Sequence, residues 1–156
     1  DIVEKKIKVL EKCLVNDFKI NKPKIAVLAI NPHAGDNGLI GNEDELIIKP
    51  VINSFTGNTS TVYGPFSADT FFTNENYKKY DAIIAAYHDQ GLIPFKTISF
   101  GKGVNFSAGL SFIRTSPDHG TGFDIAGKGM ADHTSFTNAI KLGIELFKSR
   151  NNLVWY

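Results

Sequence analysis

His33 and His88 each follow a short apolar run and have carboxylates close by. The first lies in Ile30-Asn31-Pro32-His33-Ala34-Gly35, the second in Tyr87-His88-Asp89-Gln90-Gly91. Neutral imidazoles at neighbouring strand ends can share one divalent ion. Asp69 and Asp89 could ligate that ion or orient the imidazoles from behind. The alternative is that both histidines simply cap loops; the chain has no H-E-x-x-H and no paired C-x-x-C. Lys96, Asn105 and Arg114 fall in FKTI, GVNF and FIRT, which read as three successive extended segments. Two cations and an amide make a grip for phosphate or carboxylate. Here the alternatives are an internal salt bridge for Arg114 and a solvated Lys96.

A third constellation is glycine-dense and runs from Asp118 to Gly129 (DHGTGFDIAGKG). Such loops let backbone N–H groups approach a nucleotide closely. Gly122, Gly127 and Lys128 nearly spell a P-loop, but Gly129 stands where Ser or Thr should hold magnesium, and no strand leads directly in. A kinase or ATPase is excluded on that ground. No G-x-G-x-x-G follows a strand, so an ordinary Rossmann site is excluded too. A plain flexible loop is the competing reading.

These residues need a scaffold, and the pattern supplies one. Val3, Ile7, Leu10, Leu14 and Phe18 mark one face of an opening helix. Lys24 to Ile30 and Asp81 to Tyr87 read as buried strands, and Thr61 to Tyr63 as a shorter one. Asn42 and Glu45 suggest a capping box for a helix carrying Leu46, Ile47, Val51 and Ile52, with Gly57 as its stop. Ala68 to Phe72 reads as the start of a helix, and Gly103 to Thr115 as extended segments broken at Gly109. The last helix is predicted over Ser135 to Ser149, with Phe136, Ile140, Ile144 and Phe147 on its inner face. Strands alternating with helices imply an α/β sheet covered on both faces. In such sheets ligands bind beyond the carboxyl ends of the strands, where both histidine motifs fall.

Composition narrows the function classes. Apolar residues are 42%, charged residues 21%, and the net charge is +1. With no basic tail or run, a nucleic-acid partner is not expected. No apolar stretch reaches the roughly 18 residues of a membrane span, and no signal-peptide pattern is present. Cys13 is the single cysteine, so no intrachain disulfide can form, which fits a reducing, cytoplasmic setting. Asn58-Thr59-Ser60 and Asn105-Phe106-Ser107 match the glycosylation triplet by chance. The sequence opens at Asp1 straight into a helical pattern, and a fragment or processed product is expected.

Four segments, NPHAGDNGLIGNEDE, GPFSADTFF, YDAIIAAYHDQGLIPFK and GKGVNFSAGLSFIRTSPDHGTGFDIAGKG, together resemble the 4-hydroxythreonine-4-phosphate dehydrogenases, the PdxA family of vitamin B6 biosynthesis. The glycine-dense loop also resembles the HGSAPDIAGKG loop of isopropylmalate dehydrogenases. The resemblance implies a three-layer α/β/α fold of the isocitrate/isopropylmalate dehydrogenase type. It implies that residues 1–156 form a single α/β domain, the C-terminal half of a two-domain enzyme, with the N-terminal half absent. His33 and His88 then match two of three metal-binding histidines, with Asp69 and Asp89 supporting the metal site. Lys96, Asn105 and Arg114 match substrate-binding positions, and His119, Gly120, Thr121 and Asp124 a cofactor-binding loop. No catalytic residue is assigned.

The activity implied is oxidation of 4-phosphooxy-L-threonine with NAD (NADP being the alternative) and a divalent metal, zinc, magnesium or cobalt. The oxidised product decarboxylates to 3-amino-2-oxopropyl phosphate. The implied partners are a small phosphorylated amino-acid substrate and a second subunit, in a homodimer that shares its site. Two other readings stay open: a relative acting on another phosphorylated or carboxylated hydroxy acid, and a truncated chain that folds but turns nothing over.

Overall fold

The computed structural model describes residues 2–55 and 60–152. Gly57, the expected helix stop, lies outside the described residues, as do Asn58 and Thr59 of the first glycosylation triplet. The chain forms two compact units, Asp1–Pro94 and Phe95–Tyr156.

Unit 1 is a small parallel sheet between helical layers. It comprises α1 (Ile2–Asn16), β1 (Lys24–Leu28), a π-helical turn (Asp44–Ile48) running into α2 (Lys49–Asn53), β2 (Thr61–Phe66), α3 (Ala68–Phe71) and β3 (Ala82–Ile84). The strand order is β2-β1-β3, with both pairings parallel. Strand alternation sorts β1 between two cores. Ile25 and Val27 face a cluster with Ile7 and Leu14 of α1 and Ile48, Val51 and Ile52 of the second helix. Ala26 and Leu28 face the opposite cluster with Phe71, against which Phe66, Phe72, Tyr77 and Tyr80 pack. Helices on both faces give the three α/β/α layers expected. The capping box does not form: Asn42 contributes its carbonyl, to the Leu46 N–H, and Glu45 pairs forward with Lys49. Leu46 and Ile47 are exposed, and Ile48 takes the buried position instead.

The helix α4 (His88–Ser99) carries the unit boundary at Pro94. Lys96 therefore stands on a helix, not on the extended segment that FKTI suggests. Apolar, β-branched stretches of four residues do not separate the two states; the longer run decides, and Asp89 in the first turn complements the helix dipole.

Unit 2 pairs β4 (Val104–Phe106) antiparallel with β5 (Thr115–Pro117) under α5 (Thr134–Asn151). The inner face of α5 is not the predicted one. Phe136, Ile140, Ile144 and Phe147 are 50–54% exposed, whereas Ser135, Ala139 and Leu146 are buried. The inward set lies one residue earlier, rotated by about 100° around the helix. Small side chains let the helix approach the hairpin. A Cβ on Gly143 would stand 3.1 Å from the Thr115 hydroxyl, which itself donates to the Ala139 carbonyl at 2.9 Å. The Ser135 hydroxyl donates to the Gly103 carbonyl at 2.6 Å and accepts from the Asp118 N–H at 2.9 Å.

Candidate active site

Because β1, β2 and β3 run parallel, their carboxyl ends share one edge of the sheet. The loop after β1 carries His33, β2 leads to Ser67 and to Asp69 in the first turn of α3, and β3 leads to His88 and Asp89 at the start of α4. Ligand sites of open α/β sheets form at this kind of edge. His33 sits in a turn, Pro32–Gly38, in which six successive residues from His33 to Gly38 have positive φ. Left-handed backbone costs roughly 1–2 kcal/mol for each non-glycine residue, so the turn needs strong fixation. Gly35 supplies part of it: at φ +85° it packs so closely that a Cβ would meet the Gly41 carbonyl oxygen at 2.4 Å. The fully buried Asp44 supplies more, its two oxygens accepting the N–H groups of Ile30 and Asn31 at 2.9 Å each.

His88 Nδ1 lies 2.7 Å from Asp89 Oδ1, which leaves Nε2 as the nitrogen open to an ion. The Ser67 hydroxyl, 2.7 Å from Asp69 Oδ1, holds that carboxyl below its ordinary value; the Thr70 N–H and the nearby His33 add to this. The structure thus brings Asp69 near His33, and Asp89 onto His88. Among the described residues, no three His, Cys, Asp or Glu side chains gather closely enough to hold an ion. Two imidazoles with supporting carboxylates suit zinc or cobalt chemically, as part of a donor set rather than the whole of one.

Unit 2 carries the other predicted residues. Lys96 Nζ stands 3.9 Å from Asp118 Oδ2. Asn105 on β4 pairs in register with Ser116. Arg114 is exposed beside β5, and its guanidinium donates to the Ser107 hydroxyl at 3.3 Å. It has no carboxylate partner among the described residues, so the internal salt bridge is not formed.

The glycine-dense loop borders a cleft of about 670 Å³ lined by His119, Gly120, Thr121 and Gly122 together with Asp118, Asp132 and Ser135. That volume is within the usual range for small-molecule and cofactor pockets. Asp124 lies on the adjoining 3₁₀ turn, Phe123–Ile125, outside the cleft lining. Asp132 is the acidic group that sequence reasoning missed here. Its Oδ1 accepts from the Thr134 N–H at 2.8 Å and hydroxyl at 2.6 Å, and these bonds hold its carboxyl below the ordinary range. Its D-x-T spacing at the start of a helix was the available signal.

Comparison with known proteins shows what the chain is similar to. Residues 1–143 match the family described as "Pyridoxal phosphate biosynthetic protein PdxA". A 4-hydroxythreonine-4-phosphate dehydrogenase of Bacteroides thetaiotaomicron is 47% identical over 150 residues, which is 96% of this chain and 41% of the relative. The crystal structure of a 4-hydroxythreonine-4-phosphate dehydrogenase from Klebsiella pneumoniae superposes with a TM-score of 0.74 at 41% identity, covering 95% of this chain and 44% of that one. A terephthalate 1,2-cis-dihydrodiol dehydrogenase from Burkholderia xenovorans follows at TM-score 0.68 and 34% identity, covering 99% and 47%. The chain therefore spans less than half the length of each of these proteins.

Proposed function

The chain belongs to the PdxA family of pyridoxal phosphate biosynthetic proteins, and from that premise we propose that it serves NAD-dependent oxidation of 4-phosphooxy-L-threonine as part of a longer, metal-dependent dehydrogenase. The observation that carries this reading is the single sheet edge holding His33, Asp69, His88 and Asp89. In this reading His33 and His88 hold a divalent ion, with Asp89 fixing one imidazole through Nδ1. When bound, the ion supplies Lewis-acid polarisation of the substrate alcohol, and NAD supplies the hydride acceptor. Lys96, Asn105 and Arg114 grip the anionic end of the substrate, and Arg114, with no carboxylate partner among the described residues, is suited to a bidentate contact. The His119–Thr121 loop lines the cofactor cleft. Asp118 and Asp132 in that lining repel a 2′-phosphate, which favours NAD over NADP. A cytoplasmic homodimer with a shared site belongs to the same reading.

A second reading is favoured by the Burkholderia neighbour, whose title names a dihydrodiol. A cationic grip also accepts a carboxylate. One experiment separates the two. A chimera would carry this sequence in place of the matching segment of the Bacteroides relative. It is expected to reduce NAD with 4-phosphooxy-L-threonine and not with a carboxylated dihydrodiol; the reverse preference would replace the first reading with the second. His33→Ala and His88→Ala are expected to abolish turnover in the chimera.

A further inference from the structure

Gln90 has no role in the reaction proposed above, yet it is a buried amide at the junction of the two strands that lead to the histidines. It is 9% exposed, its Oε1 accepts the Ala86 N–H at 2.7 Å, and its Nε2 donates to the Ala29 carbonyl at 2.7 Å. The β1–β3 register pairs Ile25 with Ala82, Ala26 with Ile83 and Val27 with Ile84. Continued by two residues, that register sets Ala29 opposite Ala86. At that rung the backbone pairing has ended and the Gln90 amide stands in for it, taking one N–H and satisfying one carbonyl as a peptide group does. His88 follows Ala86 by two residues, and His33 follows Ala29 by four.

The same stretch of β1 is fixed on its other groups. The Ala29 N–H donates to the Phe66 carbonyl of β2 at 2.8 Å, and Asp44 takes the next two N–H groups. Beyond the last backbone pair of β1 and β3, the hydrogen bonds that tie Ala29 to the strand leading to His88 among the described residues are those of the Gln90 amide. We infer that Gln90 is a positioning residue whose amide rung between Ala29 and Ala86 sets the spacing of His33 and His88. The inference rests on the reading in which those two histidines share a divalent ion.

The test uses zinc itself and the chain as it stands. The imidazole resonances of His33 and His88 are followed during a zinc titration, alongside thermal unfolding. In the native chain both imidazoles are expected to respond along one isotherm. His33→Ala is expected to weaken the response of His88, and His88→Ala that of His33. Gln90→Met removes both bonds at nearly constant volume. At a temperature where it is folded, its two imidazoles are expected to titrate separately and about 10- to 100-fold more weakly, the range for loss of an orienting partner. Gln90→Glu keeps the acceptor for Ala86 but sets a carboxylate against the Ala29 carbonyl. It gives the same readout should the methionine variant not fold. A Gln90 variant that melts earlier but keeps the shared isotherm would reduce Gln90 to a structural role and overturn the inference. Independent titration of the two histidines already in the native chain would instead overturn the shared-ion reading, and the inference with it.

Discussion

The two units of this chain bury themselves very differently. In unit 1, β1 is covered on both faces, and Ile7, Ile25, Val27 and Leu28 are at most 2% exposed. Among the described residues of unit 2, Ala139 and Leu146 are the buried apolar side chains, while the larger Phe136, Ile140, Ile144 and Phe147 stay half in water. Parallel strands need a cover on each face, and unit 1 carries its own. A two-stranded hairpin is marginal by itself and needs a cover such as a helix; α5 supplies it in unit 2, through hydroxyl bonds and close backbone approach. The site divides the other way. Unit 1 has the larger described core but, among the described residues, no cluster of three metal-ligating side chains, whereas unit 2 has the smaller described core and the cleft of about 670 Å³. A domain's ability to fold and its ability to complete a site are separate properties.

The largest effect that could break this comparison is catalytic. The isolated chain, given 4-phosphooxy-L-threonine, NAD and a divalent metal, is expected to form no reduced cofactor, while the chimera turns over. Orientation of reactants in a complete site can contribute many powers of ten in rate. Turnover by the isolated chain near that of the chimera would show that two histidines suffice. The next effect is on stability. Ile25→Ala, at a fully buried position, is expected to cost about 2–5 kcal/mol in urea unfolding. Ile140→Ala, at a half-exposed position, is expected to cost about 0.5 kcal/mol or less. Equal losses would mean that the α5 stripe is covered in solution.

Arg114→Ala sharpens the contrast within unit 2. With no carboxylate partner among the described residues to lose, the variant should melt as the parent does, while in the chimera KM for the phosphorylated substrate rises roughly ten- to a hundred-fold. A lower melting temperature with unchanged KM would return Arg114 to a structural role. The smallest effect is at Asp132. Its carboxyl is held below the ordinary value of 3.8 by the Thr134 hydroxyl and N–H. A depressed folded-state value stabilises above the unfolded value, and that contribution is lost as pH falls through the folded one. Hydrogen exchange at the start of α5 should therefore accelerate as pH drops below about 3.8 after correction for the intrinsic exchange rate. Asp132→Asn should remove that dependence.

The sequence by itself determined the α/β class, the strands around Lys24 and Asp81, the helical start of the chain and the motifs that carry its family likeness. These depend on local period and on short segments whose residue types are legible one by one. Lys96 was misplaced because FKTI fits a strand or a helix equally, and the run from His88 to Ser99 decides between them. The face of α5 was misread because apolar size predicts burial only when something is present to cover it. The hairpin instead selected Ser135, Ala139 and Gly143, small enough for close approach and bonded through Ser135 and Thr115. Only tertiary structure could show Asp44 and Gln90 at work. Their partners lie 13–14 and 61 residues away along the chain for the bonds to the end of β1. What a buried polar group satisfies is set by which strand ends meet, and parallel strands meet through crossovers that no local pattern records.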